Sequence, residues 1–210
     1  EFRMLGSSQS IASPNVVLNT IMADELKQFA DRLEKAESFH QALQELLRDT
    51  FRDHQRIIFD GNGYDDDWVQ EAKRRGLSNL RDTVDCMPAY IDEKNVALFS
   101  RFGILTPEEM HARYEIHLEN YCKVTAIEAA TLRDMTLRGI LPAVTRYTGD
   151  LAKGVVRKRQ AEMTTSCRVE SYLVTQLDAL SGDLLDACQA MSRALEAAPA
   201  ADAGIDAARY

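Results

Sequence analysis

Apolar side chains along this chain recur at steps of three and four, and seldom at steps of two. After Ser13-Pro14 they fall at Val17, Ile21, Leu26, Phe29 and Leu33, the spacing that lines one face of a helix. A hydroxyl N-cap at Ser13, with Pro14 where no N–H is needed, predicts the start of that helix, which runs to about Glu37. Leu43, Leu46, Leu47 and Phe51, with His54 one turn on, predict a second helix that ends before Asp60-Gly61-Asn62-Gly63. Gly61 and Gly63 are expected to supply positive φ in that turn. Asp65-Asp66-Asp67-Trp68 then opens a short helix, with its acids at the positive end of the helix dipole. Lys73-Arg74-Arg75 and Gly76 close it. Met87-Pro88 and Gly103 are read as boundaries around another short helix, from about Glu93 to Arg101.

Thr106-Pro107-Glu108-Glu109 has the form of a capping box and should launch the longest helix. Its seam is heptad-like: Leu137, Leu141, Val144, Thr148, Leu151 and Val155. Pro142 lies inside it, removes a backbone donor and predicts a kink. A break near Thr164-Thr165-Ser166 precedes a second seam at Leu173, Leu177, Leu180, Leu184, Ala187 and Met191. Two such seams predict a long antiparallel helical hairpin over about residues 107–196. The Ala-rich stretch 197–210 lacks periodicity and is expected to be a frayed tail. The fold class is mainly α, a helical bundle occupying residues 13–196.

With 210 residues and an apolar fraction of 45%, the chain is long enough to bury a core and does not have the composition of a disordered segment. A net charge of −8 argues against a nucleic-acid partner, because phosphate binding requires clustered Lys and Arg. The short basic run Arg157-Lys158-Arg159 reads as a solvated helix face. Cys86, Cys122, Cys167 and Cys188 form no CxxC pair and read as small apolar residues. No apolar run is long enough to span a bilayer and no signal segment is present. Together these features predict a reduced, cytoplasmic setting with no membrane partner.

Chemistry readable from the residues alone is sparse. Glu1 and Arg3 are two residues apart, so on a strand they address the same side. Taken alone, such a pair is an ordinary surface ion pair. Gly6-Ser7-Ser8-Gln9-Ser10 lacks the Lys and the spacing of a P-loop and reads as a connector. Asp60, Asn62 and Glu71 fall at positions one, three and twelve of a calcium loop, but Asp65 stands where the sharp turn requires glycine. His111, Glu115 and Glu119 share one helix face without a third strong ligand, and an N–H to carboxylate pair is the expected use. Trp68, Tyr90, Tyr114 and Tyr121 read as core or interface aromatics.

A wider pattern runs through these segments. Glu1-Phe2-Arg3-Met4-Leu5-Gly6-Ser7-Ser8-Gln9-Ser10-Ile11-Ala12-Ser13-Pro14-Asn15 resembles the last active-site strand of the type III glutamine synthetases and the loop after it. Arg56-Ile57-Ile58-Phe59-Asp60-Gly61-Asn62-Gly63-Tyr64, Glu93-Lys94-Asn95 and His111-Ala112-Arg113-Tyr114-Glu115-Ile116 continue the resemblance, which extends to about Tyr147. The family usually has Asn where Asp60 stands and Ser where Asp65 stands.

The resemblance implies the C-terminal region of an ATP-dependent glutamate–ammonia ligase. Residues 1–12 would be the last strand and loop of a catalytic α+β module whose remainder lies before Glu1, so this stretch alone is expected to be inactive. Glu1 would be a metal ligand, and Arg3 would contact substrate glutamate and the transferred phosphoryl group. ATP, Mg2+ or Mn2+, glutamate and ammonia are the implied cofactors and substrates, and double hexameric rings the implied assembly. The helical part would then serve assembly or positioning. A free-standing, non-catalytic helical interaction module is the alternative.

Overall fold

The computed structural model describes residues 10–161 and 164–210. Among these residues every regular element is helical and no strand occurs. The expected strand with Glu1 and Arg3 lies outside the described residues. Two compact units divide between Tyr114 and Glu115.

In the first unit, α1 spans Ala12–Leu33. It starts earlier than the Ser-Pro signal suggests, because Ser10 Oγ accepts from Ala12 N–H at 3.2 Å. Pro14 still lies within the first turn, whose N–H groups have no partner inside the helix. The packed face of α1 also differs from the apolar pattern: Pro14, Val17, Thr20 and Asp24 turn inward, whereas Ile21 and Leu26 are exposed. Thr20 is tolerated there because its hydroxyl donates to Val16 O at 2.7 Å. Asp24 is tolerated because Arg101 reaches it at 2.6 Å.

α2 spans Phe39–Asp53 and a 3₁₀ turn follows at Gln55–Ile57. α2 packs on α1 and buries Leu46. α3 spans Asp66–Arg74 and α5 spans Glu93–Arg101, with α4 between them at Thr83–Tyr90. Both α3 and α5 end as the glycine signals require. Gly76 (φ 70°) and Gly103 (φ 60°) take the left-handed backbone. Leu77 N–H then reaches Ala72 O, and Ile104 N–H reaches Phe99 O, the paired bonds of a Schellman ending.

Two expectations fail in this unit. Pro88 does not bound a helix but lies inside α4, where it forfeits one bond of a two-turn helix already started by Asp82 accepting from Asp85 N–H at 2.8 Å. Gly61 and Gly63 are not among the left-handed glycines. A Cβ at Gly61 would lie 2.7 Å from the Phe59 ring, which would have to shift to admit it.

α6 spans Pro107–Met135, so the division between the units falls within it. Its capping box forms as expected: Glu109 N–H donates to Thr106 Oγ1 at 3.2 Å and Thr106 N–H to Glu109 Oε2 at 2.8 Å.

In the second unit, α6 leads through a π turn at Thr136–Ile140 into α7, Leu141–Gln160. The disturbance expected at Pro142 is thus placed just before it and takes the form of a wide turn. One extra residue in that turn shifts the helix phase. Thr136, 3% exposed, replaces the expected Leu137 at the inner side, and the seam resumes five residues later at Leu141, Val144, Thr148, Leu151 and Val155.

α8 spans Arg168–Ala197 and packs along α7. The chain reverses through Cys167, which is buried with φ 48°, and Lys158 of α7 pairs with Glu170 of α8 across the turn. The α8 seam is Leu173, Leu177, Ser181, Leu184, Cys188 and Met191. Leu180, 61% exposed, and Ala187 are one residue out of phase with it. Ser181 and Cys188 are small, as are the half-buried Gly149 and Gly154 of α7, and small contact residues set a short distance between helix axes. A 3₁₀ turn at Ala201–Ala203 and α9, Ile205–Arg209, follow.

Candidate functional site

The segment 56–75, part of the resemblance, is organised by Arg75, a residue the sequence reading had assigned only to the end of a helix. Its Nη1 donates to Ile58 O at 2.8 Å and to Arg56 O at 3.3 Å. Its Nε donates to Glu71 Oε1 at 2.5 Å. Its guanidinium lies over the Trp68 ring, 5.6 Å from the centroid, and Phe59 stacks on Trp68 at 3.9 Å. Arg75 therefore ties the 3₁₀ turn and the extended Ile58 to α3 through hydrogen bonds, an ion pair and a cation–π contact.

Glu71 is held by two arginines, since Arg74 adds bonds of 2.7 Å to each carboxylate oxygen. Hydrogen bonds from Arg74 and Arg75 lower its pKa to about 2. That requirement is visible in the sequence as Glu71, Arg74 and Arg75 at i, i+3 and i+4. The bonds to Arg56 O and Ile58 O are not, because they cross 17 to 19 residues.

The loop from Asp60 to Asp65 spends its polar groups on itself. Asn62 Oδ1 accepts from Tyr64 N–H at 3.1 Å, and Asn62 Nδ2 donates to Asp65 Oδ1 at 2.7 Å. This is an Asx turn leading into α3. Glu71, the twelfth position of the calcium pattern, is occupied by its arginines. The ring of Tyr64, 83% exposed, projects at the tip.

Asn95 of the Glu93-Lys94-Asn95 segment donates from Nδ2 to Ala89 O at 2.6 Å and so closes the C-terminal end of α4. His111 does not pair with a carboxylate: its Nδ1 donates to Pro107 O at 2.8 Å. Glu119 pairs with Lys123 at 2.6 Å. Each partner is one turn away on the same helix.

Glu1 and Arg3 lie outside the described residues, so no geometry joins them to these groups. Among the described residues no three His, Cys, Asp or Glu side chains stand together as a metal site, and the implied Mg2+ or Mn2+ finds no donor set there. No described helix is long and apolar enough to cross a membrane. The contacts of Arg75, Glu71, Asn62, Asn95 and His111 are those of scaffolding, which tie turns and helix ends together.

The family model for the glutamine synthetase C-terminal domain matches residues 42–159, from α2 to the end of α7. A glutamine synthetase of Butyrivibrio fibrisolvens is 36% identical over 84% of this chain, which covers 23% of that relative. A type-3 glutamine synthetase of Dictyostelium discoideum is 39% identical over 74% of the chain, and one named glutamine synthetase of Bacteroides fragilis 30% identical over 76%. The chain spans less than a quarter of the length of each of these relatives.

Proposed function

Because the chain belongs to the glutamine synthetase C-terminal domain family, we propose that it acts as the C-terminal part of a whole glutamate–ammonia ligase. The family match over residues 42–159 carries this reading, and the Glu1-Phe2-Arg3 motif ahead of it supports the assignment of an active-site strand. In the reaction, ATP phosphorylates the γ-carboxylate of glutamate, and ammonia then displaces phosphate to give glutamine. A divalent cation, Mg2+ or Mn2+, supplies neutralisation of the phosphate charge when bound.

Two residues of this chain take part in the proposal. Arg3 presents a planar fork of donors suited to a carboxylate or a phosphoryl group and stabilises the charge that develops on transfer. Glu1, on the same side of the strand, is a carboxylate ligand for the cation. Residues 1–12 complete the catalytic module, residues 13–196 form the helical domain and 197–210 the tail. The helical domain serves positioning and assembly, including a double hexameric ring, and the enzyme works in the cytoplasm.

The test is Arg3→Ala in the full-length enzyme. Turnover should fall by at least ~100-fold, the scale for removing one donor to developing charge, while the size of the assembly stays unchanged. Near-normal turnover sinks the assignment of Arg3.

A further inference from the structure

The outer side of α1 carries a second apolar stripe. Ile11, Leu18, Met22, Leu26, Phe29 and Leu33 follow one another at steps of seven, four, four, three and four, which places them on one side of the helix. The C-terminal end of the stripe is covered: Phe29 and Leu33 are half-buried where α2 packs, and Arg32 reaches Asp49 of α2 at 2.7 Å. The N-terminal part is open, with Ile11 71%, Leu18 47%, Met22 56% and Leu26 59% exposed. Asn15 and Asn19 flank it on one side, and Glu25, seven residues after Leu18, puts a carboxylate on the other. The opposite side of α1 already holds Thr20 and Asp24 against the rest of the first unit. α1 therefore packs on the first unit through a partly polar side and leaves much of its apolar stripe uncovered.

We infer that the open stripe of α1 is the seat of the catalytic module that holds Glu1 and Arg3, an inference that rests on the ligase reading. Only seven residues, eight steps along the chain, separate Arg3 from Ile11, a reach of at most about 29 Å. The stripe from Ile11 to Leu26 is about 22 Å long. Whatever module contains the strand of Glu1 and Arg3 is therefore tethered beside the open end of the stripe, and a second copy of the chain has no such tether. Seating α1 there makes the first helix of the C-terminal region the rigid mount of the Glu-x-Arg strand.

The experiment is thiol labelling of the native full-length protein carrying Met22→Cys, with Leu26→Cys as a second position and Lys27→Cys on another side of α1 as control. Met22→Cys and Leu26→Cys should react at least ~100-fold more slowly than Lys27→Cys, as expected of a site that reacts only on opening. The difference should vanish in denaturant and persist on dilution. Equal rates at all three positions overturn the inference, and so does protection lost on dilution, which assigns the stripe to a second copy. Glutamine-forming activity of the same full-length preparation separates the two readings. An active enzyme with unprotected cysteines removes the seat and keeps the ligase; an inactive protein with protected cysteines removes the ligase and overturns the assignment of the covered stripe to a catalytic module.

Discussion

At the scale of single residues, charge placement organises the segment 56–75. Glu71 is held at a pKa of about 2 by Arg74 and Arg75, below the ordinary value of 4.5 that it recovers on unfolding. A depressed carboxylate contributes stability above its unfolded pKa and loses it as pH falls through the folded value. The stability advantage of the native chain over Glu71→Gln should therefore be full above about pH 5 and shrink towards pH 2, as read by urea denaturation across that range. An advantage that stays constant down to pH 2 contradicts the pairing. The two arginines are not equivalent: the Arg75 side chain is 25% exposed and Arg74 is 75% exposed. Arg75→Ala should lower the melting temperature clearly more than Arg74→Ala, since it also frees Ile58 O and uncovers Trp68. The i, i+3, i+4 part of this cluster was legible in the sequence, and the bonds to Arg56 and Ile58 were not, because local spacing carries no information on contacts across a loop.

At the scale of elements, the signals that depend on a few neighbouring residues are the ones the structure follows most closely. The Thr106–Glu109 box, the glycine endings at Gly76 and Gly103 and the acidic start of α3 all act within one turn. Thr106→Ala should cost about 0.5–2 kcal/mol in chemical denaturation, the range for losing an N-cap hydroxyl; no change would show that α6 starts without its cap. Signals of phase fared less well. The π turn at Thr136–Ile140 slips the helix by one residue, so Thr136 rather than Leu137 faces inward. In α8 the packed positions are Ser181 and Cys188, not the larger Leu180 and the adjacent Ala187. Both registers obey a spacing of three and four; close approach to α7 favours Ser181 over the larger Leu180, and Cys188 follows in the same register.

For the whole molecule, the accessible surface is 16172 Å². Two separate compact domains of half this mass each would expose about 12,000 Å² in total. The excess includes apolar side chains such as Phe51 at 65%, Ile127 at 65% and Met135 at 60% exposed. The isolated chain should accordingly bind an apolar dye and self-associate with rising concentration, whereas the full-length enzyme should bind much less dye per chain. Equal dye binding would place the apolar faces at the solvent in the enzyme as well.

The sequence by itself determined that the chain is helical, where most helices begin and end, and that its segments resemble a ligase family, because caps, glycine stops and motif residues act over a few neighbours. Tertiary structure decided which side of each helix is buried. Asp24 faces inward because Arg101, 77 residues away, neutralises it; Leu180 faces outward because Ser181 allows α7 closer. Both outcomes depend on a partner that arrives from elsewhere in the chain, and periodicity along one helix records only that some face is apolar, not which neighbour covers it.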